Sequence, residues 1–431
     1  MKHAINSVVL GLSLILANGS VAYAQDFEKG LEAYSDGDYA AALREWRPLA
    51  KQGNADAQRA LGEMYLSGNG VTEDYDEGVK WLRLAVEQGN ADAQRALGDM
   101  YSFRYTGNGV TEDYNEAVKW YRLAAEQDNA VAQYNLGELM VRSTFDVGSE
   151  VYKEGLKWLQ SAAMGGNADA QNALGTMYFE GQGVPQNYKA ALQWYRLLAV
   201  KGDEDAQNRI GEIYRKGEGI TQDYKEAVNW FRLAAEQDNA DAQINLADMY
   251  YDGEGVTQDY NEALKWLRLA AEQGNADAQN ALGTMYYDGK GVTQNYDEAV
   301  NLYRSAADQG DAVGQTSLGL MYYYGTGVTQ DYDEAMKWLR LAAEQGNADA
   351  QNALGDSSYY GAGVTQDYDE AVKWYRLAAD QGNSVAMCNL GQMYEKGEGV
   401  AKDNAQAVDL CRKAAEEGDE DAKALLRRLG A

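Results

Sequence analysis

From Asn275 to Gly310 the chain reads NADAQNALGTMYYDGKGVTQNYDEAVNLYRSAADQG. Ala278, Leu282 and Tyr286 recur at four-residue spacing and define one helical face. Gly283 puts no side chain beside Leu282, so a neighbouring helix can approach closely. Asp288-Gly289-Lys290-Gly291-Val292 is a turn in which glycine can take positive φ. A second helix starts near Asn295, with Ala299, Leu302, Tyr303 and Ala306 on its apolar face. Gln309-Gly310 ends it. The stretch is a helix hairpin.

The hairpin repeats. The small residue after each Leu or Ile falls at Gly62, Gly98, Gly137, Gly175, Gly211, Ala247, Gly283, Gly319, Gly355 and Gly391. The steps are 36, 39 and 38 residues, then 36 throughout. A tryptophan row keeps the same register at Trp81, Trp120, Trp158, Trp194, Trp230, Trp266, Trp338 and Trp374, with Leu302 and Leu410 in the remaining slots. Trp there supplies bulk between hairpins. Most second helices open on a capping-box pattern: Asp74/Glu77, Asp113/Glu116, Asp223/Glu226, Asp259/Glu262, Asn295/Glu298, Asp331/Glu334 and Asp367/Glu370. These acids are caps rather than calcium ligands, since the spacing lacks a full EF-hand loop. Arg232/Glu236, Arg268/Glu272 and Arg340/Glu344 read as i,i+4 pairs on a solvated face.

Outward from the repeat, the ends differ. Residues 1–24 carry Lys2, an apolar run from Val8 to Ala17 and the sequence Ala22-Tyr23-Ala24. That is the pattern of a secretory signal, making Gln25 the expected mature N-terminus. Residues 25–53 form a short hairpin, 54–418 ten repeats, and 419–431 a capping helix containing Arg427 and Arg428. Two units have longer turns, around Phe103-Arg104-Tyr105 and from Val141 to Glu150. These adjoining turns either form a local lip or are drift in surface loops.

The 431 residues include 38 Lys and Arg, 67 Asp and Glu, and one His, for a formal charge of −29. Removing the leader removes Lys2 and His3, so the mature charge becomes −30. Without histidine, Ser-His-Asp and Cys-His catalysis and His-ligated zinc are excluded. Two cysteines cannot form a four-Cys metal site. No cofactor or metal is expected. The charge disfavours nucleic acid and anionic membranes and favours neutral or basic partners, or serves only solubility. No stretch after the leader is long and apolar enough for membrane insertion.

The pattern A-x-x-x-L-G-x-M-Y-x-x-G-x-G-V, followed by D-Y-x-E-A-x-x-W, closely resembles the Sel1-like repeat family, a branch of the tetratricopeptide-like solenoids. It stands here as Ala278-Leu282-Gly283-Met285-Tyr286, Gly289-Gly291-Val292 and, one unit earlier, Asp259-Tyr260-Glu262-Ala263-Trp266. The resemblance covers nearly all of 54–418. It implies an all-α, right-handed superhelical solenoid of stacked hairpins. It also implies a scaffold or adaptor that binds other proteins, of the exported bacterial type, periplasmic or secreted. The motif is specific for fold and weak for function.

In that family the first helix lines the concave side, which implies the candidate partner-binding residues. Phe179, Tyr251, Tyr287, Tyr323 and Tyr359 follow the motif Tyr and form either a binding ladder or filler between repeats. Asn172, Asn208, Asn280 and Asn352 precede the motif Leu by two. They bond an extended peptide backbone or are neutral surface residues. Glu212 and Asp248 follow the small residue of the motif, Gly211 and Ala247. The resemblance also raises a disulfide, because related cysteine-rich proteins link their helices. Cys388 and Cys411 lie in one hairpin, but a helical wheel places Cys388 toward the groove, about 200° from Leu390 and away from Cys411. The disulfide and two free thiols both remain open.

The leading function is an exported, non-catalytic scaffold for a protein or peptide partner, with oligomeric state left open. The alternatives are a small-ligand or cell-wall glycan binder and, last, a cell-wall or β-lactam-acting enzyme. The S-x-x-K motif of that chemistry is absent.

Overall fold

The computed structural model describes residues 27–102, 113–144, 146–217 and 219–431. The leader, its cleavage site and the stretch around Phe103-Arg104-Tyr105 lie outside them. Among the described residues there are 23 helices and no strand, and the fold is an all-α solenoid. They fall into two compact units, one up to Lys201 and one from Gly202 onward.

The first unit holds α1 (27–35), α2 (Tyr39–Lys51), α3 (Ala55–Ser67), α4 (Tyr75–Glu87), α5 (Ala91–Tyr101), α6 (Tyr114–Ala125), α7 (Ala130–Arg142), α8 (Glu150–Met164), α9 (Ala168–Glu180) and α10 (Tyr188–Ala199). The second holds α11 (Glu204–Lys216), α12 (Tyr224–Ala235), α13 (Ala240–Asp252), α14 (Tyr260–Glu272), α15 (Ala276–Asp288), α16 (Tyr296–Asp308), α17 (Ala312–Tyr324), α18 (Tyr332–Glu344), α19 (Ala348–Tyr360), α20 (Tyr368–Asp380), α21 (Ser384–Lys396), α22 (Asn404–Glu416) and α23 (Glu420–Leu429). Odd-numbered helices are the first of each hairpin. Within each unit every helix packs on its chain neighbours, and successive first helices also touch, as α15, α17 and α19 do.

The close approach inside a hairpin rests on the motif glycine. A Cβ on Gly283 would lie 2.8 Å from the Tyr303 ring, so α16 lays its largest side chain directly over α15. Ala278, Leu282 and Met285 fill one side of this core, and Ala299, Tyr303 and Ala306 the other, all buried. Each such side chain contributes roughly 1.5–3 kcal/mol when fully buried, apart from the alanines. The first helix stops at Gly289, at φ +71°, a left-handed cap that costs glycine little. The tryptophan row bridges successive hairpins: Trp266 and Trp338 are buried, and Trp81 packs on the core of the hairpin before it.

Two local readings change. The capping acids do hold the second helices: Asp259 accepts from the backbone N–H of Asn261 and Glu262. The reciprocal half of the box does not form. The Asp259 N–H donates to the Tyr250 carbonyl at 2.9 Å, and the other six boxes are wired likewise to the preceding first helix. Those carbonyls are acceptors left over at a helix end, and the turn brings the cap to them. The glutamates are free to pair with Lys three residues on, as Glu262 does with Lys265 at 3.3 Å.

Two of the three arginines of the expected i,i+4 pairs bond elsewhere. Arg232 donates to the Tyr250 hydroxyl at 2.8 Å and Arg268 to Tyr286 at 3.0 Å. A guanidinium reaching the first helix of the next hairpin ties successive hairpins together. A bond to Glu on its own helix would not.

Candidate partner-binding surface

The slot over the motif glycine sets the chemistry of the first-helix surface. A tyrosine there passes its ring beneath the first helix, and its hydroxyl emerges beside the residue after the glycine. Tyr303 meets Thr284 at 3.2 Å, and Tyr195 meets Thr176 at 3.1 Å. Tyr121 donates to Asp99 and Tyr375 to Asp356, both at 2.7 Å.

The candidate asparagines lie next to this row, and most of their bonding capacity goes to the following first helix. Asn208 is buried and accepts from Asn245 at 3.0 Å. Asn280 accepts from Ser317 at 3.2 Å, and Asn352 from Asn389 at 3.1 Å. Asn172, in the first unit, is exposed. Glu212 accepts from Arg209 at 3.0 Å and Asn208 at 3.4 Å. Asp248 faces Arg215 at 3.5 Å, and Arg215 also meets Glu254 at 3.4 Å. Burial pushes the Asp248 carboxyl up while Arg215 pulls it down.

Each candidate aromatic pairs within its own hairpin, with the tyrosine that opens the second helix. Tyr251 meets Tyr260 at 5.1 Å between ring centroids, Tyr287 meets Tyr296 at 5.3 Å, Tyr323 meets Tyr332 at 5.3 Å and Tyr359 meets Tyr368 at 5.2 Å. Phe179 does the same with Tyr188 at 5.4 Å in the first unit. A turn glutamine clamps the backbone of each one: Gln330, for example, donates to the Tyr323 carbonyl at 2.9 Å. The more open rings lie one position further on. Tyr324 is 66% exposed and Tyr360 71%, against 39% for Tyr287.

In the first unit the same surface carries a charge ladder. Arg59 pairs with Glu63 at 2.5 Å, and Arg95 reaches both Glu63 and Asp99. Asp99 also accepts from Tyr121 and, at 2.9 Å, from Asn135. Beside it opens a cleft of about 780 Å³, lined among others by Tyr114, Asn135, Leu139, Arg142 and Val151. Ser143, Thr144 and Ser149 border this cleft from the connection between α7 and α8.

Cys388 and Cys411 are free thiols, 2% and 0% exposed, in one cluster with Ala414, Ala422 and Leu425. Cys388 therefore faces Cys411, contrary to the helical-wheel expectation. Cys411 packs under Gly391 rather than against Leu390. Three residues separate Cys388 from Gly391, only about 60° on the helix. Hydrogen bonding to Cys388, together with burial, raises the Cys411 thiol pKa.

One functional row escaped the sequence reading. The glutamine three before the motif Leu is buried and stitches hairpins together. Gln243 is 0% exposed. It donates to the Ala235 carbonyl at 3.2 Å and accepts from Gln273 at 2.9 Å. Gln279, Gln315 and Gln351 repeat the pattern. Its strict period was the available signal. Among the described residues no group of three or more His, Cys, Asp or Glu is placed to hold a metal ion. Nor is any helix among them long and apolar enough to cross a membrane.

A family model for the Sel1 repeat matches ten consecutive segments: 55–90, 91–129, 130–167, 168–203, 204–239, 240–275, 276–311, 312–347, 348–383 and 384–419. Among solved structures, the chain is similar to c5321, a protective antigen present in uropathogenic Escherichia coli strains and displaying an SLR fold. Identity is 38% and the TM-score 0.70, covering 89% of this chain and 81% of that one. It is also similar to a Sel1 repeat protein from Oxalobacter formigenes, at 32% identity and TM-score 0.58, covering 72% and 90%. The curated proteins contain no match.

Proposed function

Since the chain belongs to the Sel1-repeat family, we propose that it is an exported, non-catalytic scaffold that binds a protein or peptide along the face lined by its first helices. One observation carries this reading. The packing positions barely change between repeats, while the position after the motif glycine runs Glu212, Asp248, Thr284, Leu320, Asp356, Gln392 in the second unit. A packing role would favour one residue type there; a surface addressed to a specific partner needs varied chemistry. Export rests on the leader at 1–24, and a neutral or basic partner on the charge of −29.

Affinity capture from the native envelope tests this. The baits are the mature chain, a first-helix variant (Tyr287→Ala, Tyr324→Ala, Tyr360→Ala) and a second-helix variant (Leu269→Ser, Leu341→Ser, Leu377→Ser). All six side chains are exposed. A partner identified by mass spectrometry, confirmed by calorimetry and lost only with the first-helix variant is the expected result. Loss only with the second-helix variant overturns the assignment.

The first-unit cleft favours a second reading, a small-ligand or cell-wall glycan site. Its aromatic, amide and guanidinium lining suits a sugar ring with hydroxyls. A thermal shift with cell-wall oligosaccharides, abolished by Tyr114→Ala, would select it.

A further inference from the structure

Two places on the second unit, three repeats apart, share an acid and differ in its cation. At the first, Asp248, which follows Ala247 in the slot of the motif glycine, is paired by Arg215 of the preceding first helix, and Glu254 supports the guanidinium. Exactly 108 residues later the acid persists as Asp356, while the arginine is replaced by Tyr323 and the glutamate by Ala362. The carboxylate has kept its place and lost its cation.

The Asp356 carboxylate is held rigidly all the same. Its Oδ1 accepts from the Tyr375 hydroxyl at 2.7 Å and from Asn389 at 3.2 Å. Among the described residues no cation pairs with it, and its Oδ2 receives no hydrogen bond. Tyr360 follows one helical turn on, and Tyr323 and Tyr324 are near enough for the Asp356 charge to raise their hydroxyl pKa values, after burial itself. Tyr324 and Tyr360 are the most exposed rings of this surface, and among the described residues neither has a cation over it.

Elsewhere on the same surface the chain supplies such cations itself. Lys290 lies 4.8 Å from the Tyr251 ring centroid and Lys396 lies 5.3 Å from that of Tyr359. A carboxylate next to tyrosine faces is thus a setting this fold repeatedly fills with Lys or Arg. A planar guanidinium suits it best, because one edge can donate to Oδ2 while the face stacks on an aromatic ring.

We propose that Asp356, with Tyr324 and Tyr360, receives an arginine side chain of the partner, in the role that Arg215 plays for Asp248. This rests on the scaffold reading and names its partner chemistry: a basic peptide segment presenting arginine. The net charge of −29 attracts such a segment, and Asp356 gives it a defined seat.

The test is fluorescence anisotropy in 150 mM NaCl with the whole mature chain and a fluorescein-labelled heptapeptide of alternating glycine and arginine. Asp356→Asn is expected to weaken binding about tenfold or more, as loss of a charge-assisted bond does. Tyr324→Ala with Tyr360→Ala should weaken it about three- to fivefold. Asp277→Asn, which removes an exposed acid on α15, should leave the Kd within about twofold. The lysine counterpart of the peptide should bind several-fold more weakly. An unchanged Kd for Asp356→Asn overturns the site, and so does an equal loss with Asp277→Asn, which would mean diffuse attraction. If the arginine peptide fails to bind the unaltered chain while capture still yields a first-helix partner, the arginine seat fails and the scaffold reading stands.

Discussion

Asp356 shows how a single residue can be stabilising for binding and destabilising for folding. Burial pushes its carboxyl above the usual aspartate range, with the Tyr375 hydroxyl pulling back. The folded state therefore binds the proton more tightly than the unfolded chain. Between the unfolded and folded pKa values the folded state carries more protons, so stability falls as pH rises through that window. Above it the charged acid remains a net cost. Asp356→Asn keeps an acceptor for Tyr375 and removes the charge. Its melting temperature should exceed that of the unaltered chain at pH 7, and the gain should vanish on acidification below about pH 3.9, the unfolded aspartate value. A lower melting temperature at pH 7 would mean that the charged hydrogen bonds outweigh burial. The same variant is expected to lose peptide affinity, so weakened binding cannot be ascribed to unfolding. The sequence showed an acid at this register position. That its cation is missing follows only from the pair of Arg215 with Asp248 three repeats earlier, which the fold brings together across two first helices.

At the scale of elements, local rules read from the chain located the helices well. N-cap acids, left-handed glycines and four-residue apolar spacing all act within one turn, so they are legible without a fold. Polar side chains that reach across elements were not legible in the same way. Arg232 and Arg268 and the asparagines Asn208, Asn280 and Asn352 each had a plausible neighbour on their own helix or in solvent, and each bonds to another first helix. The buried glutamines show the scale of this effect. Gln243 joins the end of α12 to the end of α14 while sitting in α13. Removing it leaves the Ala235 carbonyl with the Asp238 N–H alone and takes away the acceptor of Gln273. Gln243→Ala should cost about 1–3 kcal/mol, measured by urea unfolding and by faster hydrogen exchange in α12 to α14. The exposed Gln273→Ala should cost less than half as much. Equal costs would mean that burial of Gln243 adds nothing.

For the whole molecule, length is set by adding similar hairpins, so stability is a sum of hairpin terms and nearest-neighbour interfaces. Charge acts over a longer range. With 67 acids against 38 bases, self-repulsion opposes folding, and the Debye length falls from about 30 Å at 0.01 M salt to about 8 Å at 0.15 M. The melting temperature is therefore expected to rise by several degrees between 10 and 150 mM NaCl, read by circular dichroism. A fall would show that the Glu–Lys pairs of the second helices matter more than net charge.

The amino-acid sequence by itself determined the period, the helix hairpin and the residues that pack: Ala278, Leu282, Gly283, Met285 and Tyr303 could be assigned because their roles follow from spacing within one hairpin. Only the tertiary structure decided what the polar and thiol groups do. Asn280 meets Ser317, which is 37 residues away, and Cys388 meets Cys411 beneath Gly391. Asp356 takes its hydrogen bonds from Tyr375 and Asn389 and receives no cation. The physical reason is one of range. Helical periodicity and capping act over three or four residues, whereas a hydrogen bond or ion pair between repeats depends on which side chain the next hairpin brings into reach.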